Sequence, residues 1–121
     1  MKATELMIGD WVYDKVLKSN ARVEALQPLT IKCDIHTQKH ICDEFEPVKL
    51  TPEILEKNGW KEAQFWHEYQ DGKNTIQSCL PDMRGIFNGV EIQHFKCEYV
   101  HQYQHLLRLC GLTELADNFK V

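Results

Sequence analysis

Nowhere in this chain do about 18 apolar residues run together, which excludes a membrane-spanning helix. The stretch from Met1 to Trp11 lacks the apolar core of an export signal, so the expected address is the cytoplasm. Basic runs are absent too. The densest positive stretch, Lys15 to Arg22, holds only Lys15, Lys18 and Arg22, and the formal charge is −4. Such a balance argues against broad, salt-driven attachment to nucleic acid or anionic membrane, which needs clustered Lys and Arg to displace counterions. The six glycines stand singly at turn positions, so no glycine-rich loop is available to cradle a phosphate. Cys33, Cys42, Cys79, Cys97 and Cys110 are odd in number and irregular in spacing. They make no disulfide framework, and a cytoplasmic address keeps them as thiols.

What is present suffices for a packed fold. With 121 residues, 43% of them hydrophobic, the chain is long enough to fold without a metal or disulfide staple. The expected organisation is a single compact α+β unit, with a β module over 1–48 and a helix, hairpins and C-terminal helix over 49–121.

In the first part, Gly9-Asp10 predicts a turn feeding a strand from Trp11 to Val16, with Trp11 and Tyr13 on the face opposite Val12. Ser19-Asn20 predicts the next turn. Alternation then runs over Ala21–Leu26 and Leu29–Ile35, and a short fourth strand is expected over His40–Phe45. Short strands joined by tight turns predict a small antiparallel, SH3-like β module that ends at Glu46-Pro47.

In the second part, Thr51-Pro52-Glu53 is a helix start: a hydroxyl cap, a proline for the first turn and an acid for the positive helix end. Gly59 ends that helix. Trp60–Tyr69 and Thr75–Leu80 read as strands joined through Asp71-Gly72. Asn88-Gly89 joins Gly85–Phe87 to Val90–Phe95, and Pro81-Asp82 separates the two hairpins. Val100, Tyr103, Leu107 and Cys110, reinforced by Leu106, recur at helical spacing and predict a helix from Glu98 to Cys110, closed by Gly111 and packed on the sheet. His101, Gln102, Gln104, His105 and Arg108 fall mostly on its opposite, solvent-facing side.

Three segments carry a resemblance: Glu5-Leu6-Met7-Ile8-Gly9-Asp10-Trp11-Val12, Leu50-Thr51-Pro52-Glu53-Ile54-Leu55-Glu56-Lys57-Asn58-Gly59-Trp60, and Tyr99-Val100-His101-Gln102-Tyr103-Gln104-His105-Leu106. In this order they resemble a family of short, uncharacterised proteins of gut Bacteroidetes, often found in prophages and mobile elements. Its members have an ELRIGNWV-like start, an LTEEILLKCGF-like middle and a VHQLQNLYFALTGEEL-like end. His105 stands where the family usually has Asn, and Arg108 where it has an aromatic. The resemblance implies a mobile-element setting and brings no mechanism with it.

The sharpest chemical pattern is a string of metal-ligand types. His101 and His105 are four apart on one helix face, Cys97 lies a turn earlier, and His94 lies just upstream. Zinc accepts such mixtures, yet Gln102 stands where a His-Glu-x-x-His site has its Glu, so a solvated helix face beside a buried thiol is the plainer reading. A second set, Cys33, His36, His40 and Cys42, converges only if its turn folds back on itself. No thiol or hydroxyl is paired by sequence with a base, so no catalytic residue is assigned and no cofactor is expected. His101, Gln102 and Gln104 either bracket the backbone or present amides to a partner. Trp60, Phe65, Trp66 and Tyr69 crowd one expected strand, where Phe65 and Trp66 must face opposite ways. One of them then needs cover from another layer or another chain, as in a homodimer. The expectation is a non-catalytic binding or adaptor protein of phage or mobile-element origin with a protein partner. The alternatives are a nucleic-acid accessory protein using Lys15, Lys18, Arg22 and Lys32, or a zinc-binding protein or enzyme.

Overall fold

The computed structural model describes residues 5–27, 30–34, 40–41 and 44–121, with the backbone alone at 27, 30, 40 and 41. The fold is α+β, and the chain divides into two compact units, Met1–Val48 and Lys49–Val121. Among the described residues no helix is long and apolar enough to cross a membrane.

The first unit holds β1 (Trp11–Asp14), β2 (Ser19–Gln27), β3 (Thr30–Cys33), β4 (His40–Ile41) and β5 (Phe45–Pro47). They form one antiparallel sheet in the order β4-β3-β2-β1-β5, so the last strand returns to pair with the first. Among the described residues the sheet does not close on itself, so a closed SH3-like barrel is not shown. Strand alternation sends Val12, Ala21, Val23, Ile31, Cys33 and Phe45 into a core with Leu6.

The first strand and turn differ from expectation. β1 stops at Asp14, because the buried Asp14 carboxylate accepts from the N–H groups of Val16 (2.8 Å) and Leu17 (3.0 Å) and turns the chain there. Lys18, at φ 53°, completes the turn, and Ser19 and Asn20 already pair with Asp14 and Tyr13 in β2. A local carboxylate-to-backbone bond outcompetes the turn composition of Ser-Asn.

The second unit opens with α1 (Pro52–Lys57), started as its sequence requires: Thr51 Oγ1 accepts from Ile54 N–H at 3.3 Å and Pro52 occupies the first turn. Gly59 follows it at φ 90°. A meander comes next: β6 (Lys61–Glu62), β7 (His67–Asp71), β8 (Asn74–Cys79), β9 (Asp82–Phe87) and β10 (Val90–Lys96), in spatial order β10-β9-β8-β7-β6. Asn88 and Gly89, at φ 50° and 78°, make the tight β9–β10 turn that Asn-Gly favours. Pro81-Asp82 does not separate the hairpins. Cys79 pairs with Asp82 across that turn, and the two hairpins fuse into one sheet.

The expected continuous strand over Trp60–Tyr69 is broken as well. Ala63 N–H donates to Trp66 O at 2.7 Å and closes a bend between β6 and β7. Phe65 and Trp66 therefore sit on that bend rather than on alternate faces of a strand.

Tyr69, Ile76, Met83, Phe87 and Ile92 point to the buried face of this sheet. Gly85 lies among them at φ 148°, where an added Cβ would come within 2.6 Å of Ile76 Cα. Over this face lies α2 (Val100–Leu109), which begins at Val100 instead of Glu98 and buries Val100, Tyr103, Leu106 and Leu107. Tyr103 is the hub. Its ring lies 6.0 Å from Trp60, 6.3 Å from Phe87 and 5.2 Å from Phe119, and its hydroxyl accepts from Trp60 Nε1–H at 3.2 Å.

Gly111 ends α2, but the chain then folds into a helix that sequence periodicity missed, α3 (Thr113–Asp117). Five residues are too few to show a helical period. Asn58 holds the stretch after α3 by accepting from Lys120 N–H (2.8 Å) and donating to Lys120 O (2.7 Å).

Replacing Tyr103 tests the hub by chemical unfolding. Tyr103→Phe, which orphans the Trp60 N–H, is expected to cost about 1–3 kcal/mol. Tyr103→Ala is expected to cost about 3–5 kcal/mol. An alanine variant within about 1 kcal/mol of the parent would show that the cluster does not organise this unit.

Candidate ligand-binding face

The residues singled out by sequence scatter. His94 is exposed on β10, at φ 53° beside the irregularity between Ile92 and Phe95. Cys97 is fully buried, and burial pushes its thiol up to about 12. His101 is only 7% exposed, stacked 6.0 Å from Tyr99 and edge-on to His105 at 5.6 Å. The i, i+4 spacing thus brings the two imidazoles together. Even so, no group of three or more His, Cys, Asp or Glu among the described residues is arranged to hold a metal ion. In the second set, Cys33 is buried in the first core, and its thiol is pushed to about 12 by burial, then by Asp34, Asp14 and Glu24. His36 and Cys42 lie outside the described residues, and of His40 only the backbone is described.

The amides are spent inside the fold. Gln102 Oε1 accepts from the N–H groups of Glu98 (2.9 Å) and Tyr99 (3.0 Å), capping the start of α2. Gln104 is fully buried and donates to Ala116 O at 3.0 Å, which ties α3 to α2. The polar side of α2 is therefore not a solvent face: His101 and Gln104 are both covered. A polar residue at a polar helical position looks exposed until the segment that buries it is known.

Lys32 pairs with Glu24 at 2.6 Å, and Arg22 lies 5.3 Å over the Trp11 ring. Lys15 and Lys18 stand exposed on the β1–β2 turn.

Concavity appears elsewhere, on the uncovered face of the second sheet. Strand pairing sets Glu68, Gln77 and Arg84 side by side across β7, β8 and β9, and Gln70, Thr75, Ile86 and Glu91 in the next outward row. Two adjoining hollows of about 390 and 370 Å³ lie here, and Gln77, Arg84 and His94 line both. The second hollow is lined by Phe65, which is 77% exposed, and by Trp66, Cys79 and Asp82. Trp66 is oriented by its indole N–H, which donates to Glu68 Oε1 at 2.6 Å, and Gln77 Nε2 reaches the same oxygen at 3.4 Å. Among the described residues, none hydrogen-bonds or ion-pairs with the Arg84 guanidinium.

Cys79 and His94 line the same hollow, and no hydrogen bond among the described residues links them. An aromatic wall, a guanidinium, an imidazole and an amide are the parts of a recognition surface. Sequence reading flagged Phe65, Trp66 and His94 but missed Arg84 and Gln77. Their only signal was outward alternation on strands whose partners were not yet known.

No protein-family model, curated protein or solved structure matches the chain.

Two measurements follow. Gln104→Ala removes the side-chain bond to the Ala116 carbonyl, which still accepts from Phe119 N–H at 3.4 Å, and is expected to cost about 0.5–1.5 kcal/mol with α2 intact; an unchanged melting temperature would refute the bracket. The raised thiols predict an alkaline limit. A folded pKa above the ordinary 9.0 stabilises the protonated form. That contribution is complete below pH 9 and is lost as pH climbs toward about 12. Melting temperature should therefore fall above pH 9, and the fall should be smaller in Cys97→Ala measured against its own neutral-pH value.

Proposed function

We propose that this chain is a non-catalytic binding or adaptor protein of phage or mobile-element origin, and that the open face of its second sheet is the surface through which it meets a protein partner. One observation carries the reading: the unpaired Arg84 lies in a hollow walled by the exposed Phe65 and by Trp66. Large aromatics and arginine dominate the energetics of protein interfaces because they bury much area at little entropic cost. An exposed phenylalanine beside a tryptophan costs a free protein solubility, and burial against a partner recovers that loss.

The first unit is read as an SH3-like module, on the return of β5 to β1 in the order β4-β3-β2-β1-β5. The cytoplasm is the setting in which these buried thiols stay reduced.

The test compares capture from a host lysate by the parent protein, Phe65→Ser and Arg84→Gln. Both positions are exposed, so both variants should melt with the parent. A captured protein should bind each variant about tenfold or more weakly, roughly 1.4 kcal/mol. Equal capture by all three proteins would place the working surface elsewhere.

A further inference from the structure

Resting on the docking reading above, we infer that the groove recognises an extended peptide segment in which a large apolar side chain lies beside a carboxylate. Each part follows from how the groove residues are already engaged. Trp66 has spent its indole N–H on Glu68, so what it and Phe65 offer a ligand is ring surface, which suits a bulky apolar side chain.

Sign comes next. Among the carboxylates of this face, Glu68 Oε1 accepts from Trp66 and Gln77 and Glu91 Oε1 accepts from Gln93 Nε2 at 2.8 Å; these neutral donors leave both charges in place, and neither carboxylate pairs with Arg84. Arg84 keeps its whole fork of donors, and it stands where the two hollows meet. A planar guanidinium matches a carboxylate through two parallel hydrogen bonds, a geometry that an amide or hydroxyl ligand cannot return. The left-handed backbone at His94 belongs to the irregularity in β10, a device that re-aims a side chain, and His94 lines both hollows beside Arg84.

Asp82 is the counterweight. It shares the outward face of β9 with Arg84, about 7 Å away along the strand. A peptide lying along this face offers a backbone N–H to Asp82 while its own carboxylate meets Arg84. Two neighbouring groups of opposite sign thus favour an oriented peptide over a bare anion.

The experiment is a ¹H–¹⁵N titration of the full chain with three blocked dipeptides: acetyl-Phe-Glu-amide, acetyl-Phe-Gln-amide and acetyl-Phe-Lys-amide. The acidic probe should shift the Trp66 indole, Gln77 side-chain amide and Arg84 Nε–H signals, and should bind about three- to fivefold tighter than the neutral one. The basic probe should bind weakest. Arg84→Gln should erase the preference for Glu over Gln, while Phe65→Ser should weaken all three probes together. Equal or tighter binding of the Lys probe would show that Asp82 sets the sign, and would overturn the inference. So would a Glu preference that survives Arg84→Gln, or silence of the groove signals with every probe. If the probes are silent but partner capture still depends on Phe65 and Arg84, the docking surface stands and this peptide chemistry falls.

Discussion

The second unit depends on one side chain finding its place. Tyr103 projects from α2 into a ring of aromatics made by Trp60, Phe87 and Phe119, and its hydroxyl satisfies the Trp60 indole. The contacts reach from Trp60, just past α1, to Phe87 at the end of β9, to Phe119 in the tail beyond α3. Few positions can lock a helix to a sheet and to a terminal segment at once. Edge-to-face rings are well suited to this, since their quadrupoles fix orientation as well as proximity. α2 settles on one face, and the hollows lie on the other.

Around the aromatic centre the polar groups act as clips. Gln104 holds α3, Asn58 holds Lys120, and Asn88 Nδ2 donates to Cys110 O at 2.8 Å, tying the β9–β10 turn to the end of α2. Asp14 does the same job for the first turn of the N-terminal unit. Each of these side chains bonds a backbone group at a turn or segment end, and that gain offsets the rotamer entropy lost in ordering it. The terminal segments are too short to be stable as independent helices, so such clips decide where they lie.

Much of this was legible in the sequence. Thr51-Pro52 started a helix, Asp71-Gly72 and Asn88-Gly89 turned hairpins, and the Val/Tyr/Leu stripe of α2 went inward, because each signal acts over a few residues. What failed turned on particular local bonds that residue composition does not display. Ser19-Asn20 lost to a carboxylate five and six positions earlier in the chain, and the aromatic run at 60–69 concealed a bend closed by Ala63 and Trp66. The candidate site was only half readable. His94 and Phe65 drew notice as residue types, whereas Arg84 gained meaning only when strand register placed it between Gln77 and His94.

The irregularity in β10 has a consequence beyond aiming His94. β10 is an outer strand, and a long, flat outer strand offers unpaired N–H and C=O groups to any passing chain. A left-handed residue in the middle of it breaks that repeat, and β6, at the other border, spans only Lys61–Glu62. Neither border can template a further strand of useful length. The sheet is thereby guarded against sideways growth.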